Sequence, residues 1–415
     1  MKVILSAFSC EPDLGSEDAV GWGWVVGLAA RCEKVLVVTR TQHKAGIDAW
    51  LKRTPLDNVE FLFYRPPGHQ LFALLGRFAW VPHYLAWQRG VIARIEEAMQ
   101  EDHYDVVHHV TVVSMRFSIR LGELGLPFVY GPVAGGDEAP IATWKGMTWR
   151  GKVGEGLRML SNRWIRWSPG VRRTLRQAAS IIVVSPETAA LVPETIKPRV
   201  SEVLAISYDE PLQQRAIPKR TTPRLKLLFA ARCLDWKGLH LGLRALSLAV
   251  NQGVDLHLSV IGNGPTLNHW KKLAGRLGLL DRISWEEPLP RPEFVARLPR
   301  YDLLFFPSLH DSGGLVVLES LANGLPVVCL DAGGPGKLVD STCGIKATVG
   351  NPDQIALDLA EALVTLYRNE ELRHRMALNA VERVAKHFLL DRKVDAVMRQ
   401  YPALVHHKVA DLVAS

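Results

Sequence analysis

Residues 303–328, LLFFPSLHDSGGLVVLESLANGLPVV, contain the pattern that decides the fold. A short apolar run ends at Pro307, a polar loop leads to a pair of glycines, and a stretch of helical period runs over 315–323. Gly324 then ends the helix, as glycine commonly does, and a second apolar run follows. Continuously apolar strands that alternate with helices are typical of parallel sheets covered on both faces. The stretch therefore predicts a β-α-β unit.

The same alternation extends in two series through the 415 residues. Strands are predicted at Lys2–Ala7, Val35–Thr39, Val59–Phe63, Asp105–Val110, Phe128–Gly131 and Ile181–Val184, and again at Lys226–Ala231, Leu256–Gly262, Ile283–Trp285, Leu303–Pro307 and Val327–Leu330. A proline-rich, weakly periodic segment separates the series, so we predict a domain over 1–208, a linker over 209–223 and a domain over 224–388. The predicted fold class is α/β, with two Rossmann-like domains that face each other across a ligand cleft at the carboxyl ends of their strands.

Composition excludes several classes of protein. With 48% hydrophobic and 22% charged residues the chain is not disordered, and it has no uncharged apolar run long enough to span a membrane. Five widely spaced cysteines argue against a disulfide framework or a structural zinc site. The N-terminus reads as a first strand rather than a signal peptide, so we expect a cytoplasmic protein.

Cations and glycines follow the predicted strands of the second half. Arg232 and Lys237 come just after a strand and can neutralise a diphosphate there, although a surface ion-pair loop would look the same. Gly262 and Gly264 follow the next strand and allow the backbone to approach a ligand closely. Leu267 stands where a third glycine would complete a dinucleotide fingerprint, which makes nicotinamide binding improbable at this loop.

The loop and helix after Pro307 add amides and carboxylates. Amide groups at Gly314 and Leu315 open the helix, and a helix N-terminus favours phosphate. Asp311 and Glu319 stand eight residues apart and can accept hydrogen bonds from the hydroxyls of a ribose and of a transferred sugar. The chain contains no Asp-x-Asp pair of the kind that holds Mg²⁺ beside a diphosphate. We therefore expect the cations and the helix N-terminus to stabilise the leaving diphosphate, with no metal and no cofactor.

The first half offers polar residues at three strand ends. Gly15 allows the backbone to approach a phosphate, and Glu17 stands at a helix start. His109 ends the strand that begins at Asp105 and is expected to act on a ligand, although a lone histidine is more often a core residue. Asp137 and Glu138 follow another strand and offer carboxylates to an acceptor or a sugar.

A basic, tryptophan-rich stretch runs from Trp144 to Arg176, with nine Lys or Arg residues and one anion, Glu155. Such a composition suits an anionic membrane surface or a lipid-linked phosphate. The residues expected to face the membrane are Trp149, Arg163, Trp164, Arg166 and Trp167. A solvated helix with inward tryptophans is the plain alternative, and nucleic acid is a less favoured partner.

Together these residues resemble the retaining GT-B glycosyltransferases of family 4. The second half shows the resemblance in Arg232, Lys237-Gly238, Gly262-Asn263-Gly264 and the run from Asp311 to Val328, in which Asp311-x7-Glu319 stands for the family's Glu-x7-Glu. The first half resembles the bacterial exopolysaccharide and lipopolysaccharide branch of that family. The residues that carry this second resemblance are Ser9–Pro12, Gly15–Glu17, Gly21–Trp22, Asp105–His109 and Gly131–Val133.

The resemblance implies transfer of a hexose-type sugar from a UDP- or GDP-sugar to a lipid-linked or saccharide acceptor, with retention of configuration and without metal. The domain over 1–208 would bind the acceptor, the domain over 224–388 would bind the nucleotide sugar, and a helix within 389–415 would cross back to the first domain. The implied roles of individual residues are diphosphate binding by Arg232 and Lys237, ribose binding by Glu319, contact with donor sugar and phosphate by Asp311, Gly313 and Gly314, sugar or acceptor contact by His109, phosphate contact by Gly15, and a place near the acceptor for Glu17.

Two other functions stay open at this point. A nucleotide-sugar epimerase of the same fold would need acid and base groups on both faces of the sugar, and no second set is evident. A non-catalytic protein could bind polyanions or membranes through the basic stretch. The favoured location for the transferase is the inner face of the cytoplasmic membrane, as a peripheral protein in cell-surface polysaccharide biosynthesis.

Overall fold

The computed structural model describes residues 1–68, 80–210, 212 and 224–406. These residues form two compact units, called here unit 1 (residues 1–136, 161–205 and 390 onward) and unit 2 (residues 137–160 and 206–389). Most of the predicted linker and the last nine residues lie outside the described part of the chain.

Unit 1 is built on a parallel sheet in the order β3-β2-β1-β4-β5-β6-β7. Its strands are β1 Lys2–Ser6, β2 Lys34–Arg40, β3 Val59–Tyr64, β4 Val106–His109, β5 Phe128–Val133, β6 Ser180–Val183 and β7 Val200–Glu202. Its helices are α1 Ser16–Ala29, α2 Lys44–Leu51, α3 Trp80–Glu101, α5 Pro169–Gln177, α6 Pro186–Ala189 and α14 Leu390–Met398. Helix α4, Trp149–Trp167, begins in unit 2 and ends in unit 1. Every residue of β4 and β6 is buried, so these strands show no alternation of buried and exposed positions.

Unit 2 has a parallel sheet in the order β10-β9-β8-β11-β12-β13. Its strands are β8 Leu225–Ala230, β9 Leu256–Ile261, β10 Ile283–Glu286, β11 Leu303–Phe306, β12 Val327–Leu330 and β13 Gly344–Ala347. Its remaining helices are α7 Leu239–Asn251, α8 Leu267–Arg276, α9 Arg291–Arg297, α10 Leu315–Ala322, α11 Gly333–Leu338, α12 Pro352–Arg368 and α13 Glu370–His387. The predicted plan of two Rossmann-like α/β halves is confirmed, and β7 and β13 are edge strands that the sequence did not predict.

Residues 137–160 belong to unit 2, although the sequence suggested an unbroken first domain over 1–208. Met147 is part of the buried core of unit 2, and Trp144 packs against that core. Thr148 donates through its backbone N–H and its hydroxyl to the carboxylate of Asp235, at 2.8 and 2.7 Å. The chain therefore leaves unit 1 after β5, adds one segment to unit 2, and returns along α4.

The last helix packs on unit 1, as the resemblance implied. Helix α14 contacts α1, where Gly23 and Gly27 leave room for Leu390 and Val394. A Cβ at Gly27 would lie 2.5 Å from Val394, so the glycine permits close contact between the two helices. Arg31, two residues after the end of α1, also binds Asp395, with 2.6 Å between Nε and Oδ1.

Two adjacent histidines are buried in the core of unit 1. The Tyr401 hydroxyl lies 2.7 Å from His108 Nδ1, and the carbonyl oxygen of Gly131 lies 2.6 Å from His108 Nε2. Burial lowers the pKa of His108 and of His109 from the ordinary 6.5 to about 3. Both rings are therefore neutral in the folded protein at neutral pH.

We expect the stability of the protein to fall as the pH decreases from about 6.5 towards 3. In that range the unfolded chain protonates both histidines and the folded protein does not, which costs about 1 kcal/mol per pH unit for each ring. Urea unfolding monitored by tryptophan fluorescence at several pH values measures this slope. The His109→Gln variant should show a shallower slope than the wild type, and an unchanged slope would contradict the assignment.

No helix within the described ranges is long and apolar enough to cross a bilayer. All five cysteines fall within those ranges, and each is buried with a free thiol.

Candidate functional site

A pocket of about 460 Å³ opens at the carboxyl ends of β8 and β9 in unit 2. Arg232 follows β8 and is exposed at the pocket, as predicted. The other lining residues are Ala230, Ala231, Ile261, Gly262, Asn263, Pro288, Leu289, Phe294 and Val316. One cation beside a largely apolar wall suits a ligand that carries both a flat ring and negative charge.

Gly262 and Gly264 are required by the packing of the two loops that follow β8 and β9. Both have φ values of the left-handed region, +151° and +156°. A Cβ at Gly262 would lie 2.0 Å from the carbonyl oxygen of Ala231, and one at Gly264 would lie 2.4 Å from that of Cys233. Gly262 lines the pocket in addition, so its predicted role beside a ligand stays a prediction, whereas the close approach at Gly264 is to the protein's own backbone.

Lys237 and Asp311 form an ion pair at the start of α10. Asp311 Oδ1 also accepts hydrogen bonds from the backbone N–H groups of Gly313 and Gly314, at 3.4 and 3.3 Å. The backbone N–H groups at the predicted helix start therefore bind the carboxylate of Asp311, and the ammonium group of Lys237 lies beside that carboxylate. This arrangement of amides and a cation favours an anion such as a phosphate. The described residues contain no group of three His, Cys, Asp or Glu side chains that could hold a metal ion.

The glycine-rich stretch of α11 packs against the loop that contains Asp311 and Gly313. The Gly334 N–H donates to the carbonyl oxygen of Asp311 at 2.7 Å. A Cβ at Gly333 would lie 2.4 Å from the same oxygen, and a Cβ at Gly334 would lie 2.3 Å from the carbonyl oxygen of Gly313. The glycines of this stretch thus allow two loops to meet backbone to backbone. This contact explains why the stretch is rich in glycine although it is not a Walker A phosphate-binding loop.

Glu319 is buried in α10, with 4% of its surface exposed. Arg291 donates from Nε to Glu319 Oε1 at 2.7 Å and also pairs with Glu210, with 3.1 Å between Nη1 and Oε1. Burial raises the pKa of Glu319 above its ordinary value, although the hydrogen bond from Arg291 opposes this shift. Arg291 was not predicted, because a single arginine in a Pro-Arg-Pro sequence carries no motif.

Glu319 and Arg291 each lie one helical turn from a residue that lines the pocket. Val316 lines the pocket from α10, and Glu319 lies one turn further along the same helix face. Phe294 lines it from α9, and Arg291 lies one turn earlier on that helix. Unit 2 therefore places Arg232 at the pocket and Glu319 one turn from its wall, and the Lys237–Asp311 pair lies at the start of the helix that carries Glu319.

The site residues predicted in unit 1 have different surroundings. Gly15 is the exposed N-cap residue of α1, with no atom within 4 Å of the place a Cβ would take. The Glu17 carboxylate accepts the N–H groups of Val112 and Val113, at 3.0 and 3.2 Å. Burial raises the pKa of Glu17. Val112 has φ +59°, a strained conformation for a β-branched residue, so Glu17 holds an unusual loop in place.

His109 is a core residue in this structure, which disagrees with its predicted contact with a sugar. It is 1% exposed, with 3.1 Å between Nδ1 and the Ser6 hydroxyl and 3.1 Å between Nε2 and the Tyr84 hydroxyl. Both ring nitrogens are thus occupied inside the protein. Asp137 is also buried, at 7% exposure, so it presents little surface to an acceptor, and Glu138 beside it is half-buried.

Helix α4 carries a stripe of exposed apolar side chains, called here the α4 stripe. Its members recur every three or four residues and are 52–75% exposed: Trp149, Val153, Leu157, Leu160, Trp164 and Trp167. This spacing places them on one helix face. The exposed cations Arg150, Lys152, Arg163 and Arg166 occupy neighbouring positions of the same helix. The three tryptophans that we expect to face a membrane are thus exposed, their contact with a membrane stays a prediction, and the aliphatic members were not predicted.

Comparison with known proteins finds a sequence family that matches the second half and relatives that match parts of the chain. Residues 211–383 match the sequence model of the family Glycosyl transferases group 1. A D-inositol 3-phosphate glycosyltransferase of Corynebacterium diphtheriae is 31% identical over 166 residues, 38% of this chain and 38% of that protein. The alignment thus spans less than two fifths of that relative's length.

Solved structures resemble nearly the whole chain. The lipopolysaccharide outer core galactosyltransferase WaaB, in its apo form, has a TM-score of 0.61 at 13% identity, covering 97% of this chain and 99% of its own. HepE of Anabaena, in complex with UDP and glucose, has a TM-score of 0.57 at 16% identity, covering 97% and 100%. The GT-B fold predicted from the sequence is confirmed, and the second half of the chain, over residues 211–383, matches the glycosyl transferases group 1 family in sequence.

Proposed function

We propose that the protein is a retaining, metal-independent glycosyltransferase that moves a hexose-type sugar from a UDP- or GDP-sugar to a lipid-linked or saccharide acceptor. The observation that carries this proposal is the pocket of unit 2. Its wall combines Arg232 with an apolar surface, and Glu319 and the Lys237–Asp311 pair stand on the helix and loop beside it.

The residues fit the parts of a nucleotide sugar. The base would pack against Leu289 and Phe294, and the ribose hydroxyls would donate to the second oxygen of Glu319, since Arg291 donates to the first. Arg232 and Lys237 would neutralise the diphosphate together with the amides of Gly313 and Gly314. Asp311 would then accept from a hydroxyl of the donor sugar.

In the proposed transfer the bond between the anomeric carbon and the diphosphate oxygen breaks, and the acceptor oxygen bonds to the same face of that carbon. The leaving phosphate takes the acceptor proton, so no side chain is assigned as a nucleophile. Arg232, Lys237 and the start of α10 stabilise the charge that develops on the diphosphate. These groups supply the positive charge that a divalent metal ion would otherwise bring.

A thermal-shift screen of UDP, GDP, ADP and CMP tests the donor site. A nucleotide present at about 100 times its dissociation constant adds about 2.7 kcal/mol of stability, which is easily detected. We expect UDP or GDP to raise the melting temperature without added metal. The anomeric configuration of the product, read by NMR coupling, tests retention.

Analysis of the products and measurement of nucleotide affinity separate the alternative functions. Turnover of the UDP-sugar to an epimer without any acceptor would favour an epimerase. An Arg232→Ala variant that binds the nucleotide as tightly as the wild type would favour a non-catalytic polyanion-binding protein. Loss of nucleotide affinity in this variant with retention of the fold supports the transferase.

We further propose that the protein acts as a peripheral protein at the inner face of the cytoplasmic membrane, in cell-surface polysaccharide biosynthesis. The α4 stripe combines exposed tryptophans and aliphatic residues with flanking cations, which is the composition of a helix that lies in an anionic bilayer surface. The formal charge of +8 favours the same partner. A lipid-linked acceptor would be held at the same surface.

Reversing two exposed charges in the second half of α4 should release the protein from anionic vesicles. Each cation near an anionic surface contributes about 1 kcal/mol, so Arg163→Glu/Arg166→Glu should weaken binding to phosphatidylglycerol vesicles by about 30-fold or more. Vesicle co-sedimentation measures the effect.

The matched control is Arg172→Glu/Arg176→Glu, which makes the same charge change at exposed positions of α5, off the stripe. Equal losses in both pairs would show that only net charge matters and would contradict a specific surface. A concentration-dependent dimer that Leu157→Ser abolishes would assign the stripe to a second copy instead.

A further inference from the structure

Helix α4 has an inner face that no part of the proposed mechanism uses. Glu155 on this face is buried, and its two carboxylate oxygens lie 3.0 and 3.1 Å from His310 Nε2. The backbone N–H of Ala139 also donates to Glu155 Oε2 at 3.4 Å. Burial alone would raise the pKa of Glu155, but the hydrogen bond to His310 and the charge of Arg158 hold it below its ordinary value. The negative charge of the buried Glu155 carboxylate is therefore stabilised by His310 and Arg158.

His310 connects this carboxylate to the loops of unit 2 that carry Lys237 and Asp311, called here the donor loops. It directly precedes Asp311 in the chain, and its ring stacks on Trp236 with 5.5 Å between the ring centroids. Trp236 in turn directly precedes Lys237. One side chain from α4 thus holds the residues next to both members of the Lys237–Asp311 pair.

The start of α4 is bound to the same region. Thr148 donates twice to the carboxylate of Asp235, which stands two residues before Lys237. The N–H of Gly151 donates to the Thr148 hydroxyl at 3.1 Å, so this residue also caps the helix. A Cβ at Gly151 would lie 2.3 Å from Asp235 Oδ2, which shows how closely the helix start packs on the loop.

The inner contacts and the α4 stripe lie on opposite faces of one helix. At 100° per residue, Glu155 stands roughly opposite the stripe members Val153, Leu157 and Leu160. The first half of α4 is held on its inner side by these polar contacts, and binding of its exposed side can order it further. The donor loops would share that order, because Glu155 and Thr148 are attached to them.

We propose that the first half of α4 is a brace for the donor site, in which Glu155 and Thr148 position the loops of Asp311 and Lys237, and that an anionic bilayer bound to the stripe tightens this brace. This inference rests on the proposed glycosyltransferase function. Glu155 and Thr148 are positioning residues, since they act through His310 and Asp235 and touch no substrate.

The test measures nucleotide affinity with and without vesicles. Isothermal titration of the wild type uses UDP or GDP, whichever the thermal screen identifies, with vesicles of phosphatidylcholine alone and with vesicles that are one third phosphatidylglycerol. We expect the anionic vesicles to tighten nucleotide binding about fivefold, and pure phosphatidylcholine to have little effect. Hydrogen exchange at residues 232–238 and 308–314 should slow on the same vesicles, with or without nucleotide.

Two variants separate the two faces of the helix. Glu155→Gln should bind anionic vesicles as the wild type does, but lose about tenfold in nucleotide affinity and lose the response to vesicles. Leu157→Ser/Trp164→Ser alters only exposed side chains, so it should fold and bind nucleotide normally in buffer and lose the response. This second variant keeps the test decisive if Glu155→Gln fails to fold.

The inference is overturned if the wild type binds nucleotide equally well on both kinds of vesicle, or if Glu155→Gln responds to anionic vesicles as the wild type does. Failure of the proposed function looks different, since no nucleotide would bind the wild type under any condition. In that case the hydrogen-exchange result still decides whether α4 transmits bilayer contact to the loops.

Discussion

Replacing Glu319 by glutamine is expected to weaken nucleotide binding by about 100-fold while leaving the fold intact. A hydrogen bond to a charged acceptor contributes about 1.5–3 kcal/mol, and an amide oxygen accepts from the ribose hydroxyls less strongly than a carboxylate. Stability should change little, because burial raises the pKa of Glu319 and the ionised carboxylate is therefore costly to the folded state. Arg291 keeps Glu210 as a partner in the variant. Titration calorimetry with the identified nucleotide and urea unfolding measure the two effects.

Glu293→Gln is the matched control, since it makes the same chemical change at an exposed position of α9. It should bind nucleotide as the wild type does. A Glu319→Gln variant with unchanged affinity would remove the ribose assignment.

Protonation of the same carboxylate should make nucleotide affinity depend on pH. The raised pKa of Glu319 means that acid neutralises it earlier than an ordinary glutamate, whose value is 4.5. Affinity in the wild type should therefore fall as the pH decreases towards and through that raised pKa. Glu319→Gln has no proton to gain at this position, so its affinity should lack this component of the pH dependence.

Replacing Gly238 by alanine is expected to destabilise unit 2 by about 4 kcal/mol and to abolish nucleotide binding. Gly238 has φ +69°, where alanine costs about 1–2 kcal/mol. A Cβ there would also lie 1.8 Å from the carbonyl oxygen of Pro307, so the backbone after β11 must move. Lys237 and Asp311 are carried by the two segments that would be forced apart. Urea unfolding and nucleotide titration measure the effects.

Gly253 provides a control with nearly the same backbone conformation, φ +80°, and no atom within 4 Å of a Cβ. Gly253→Ala should cost only about 1 kcal/mol and leave nucleotide binding unchanged. If the two variants were equally stable, the close approach of Pro307 to Gly238 would not be the cause of the larger loss.

The sequence predicted the central strands because their burial on both faces leaves a continuous apolar run, as in β11 and β12. It did not predict β7 or β13, which are edge strands with partly exposed residues such as Ser201 and Lys346. The transfer of residues 137–160 to unit 2 was also missed. It depends on pairs such as Thr148 and Asp235, which are far apart in the chain and follow no motif.

The positions of site residues were predictable where a residue follows a strand or opens a helix. Lys237, Asp311 and the start of α10 are together, because a strand end and a helix start fix their positions. Arg291 and His310 were missed, since each acquires its role through one partner from another element. His109 shows the opposite failure, because a strand-end position indicated a ligand contact and the packing of Tyr84 and Ser6 encloses the ring.

The return of α14 to unit 1 has a consequence for synthesis on the ribosome. Val394, Val397 and Tyr401 belong to the same buried cluster as Trp24 and the residues of β1. The first half of the chain therefore cannot finish its core until residue 401 has been translated. Unit 2 is complete by residue 389, including the segment supplied earlier, so the half that is translated later is the first able to reach its final packing.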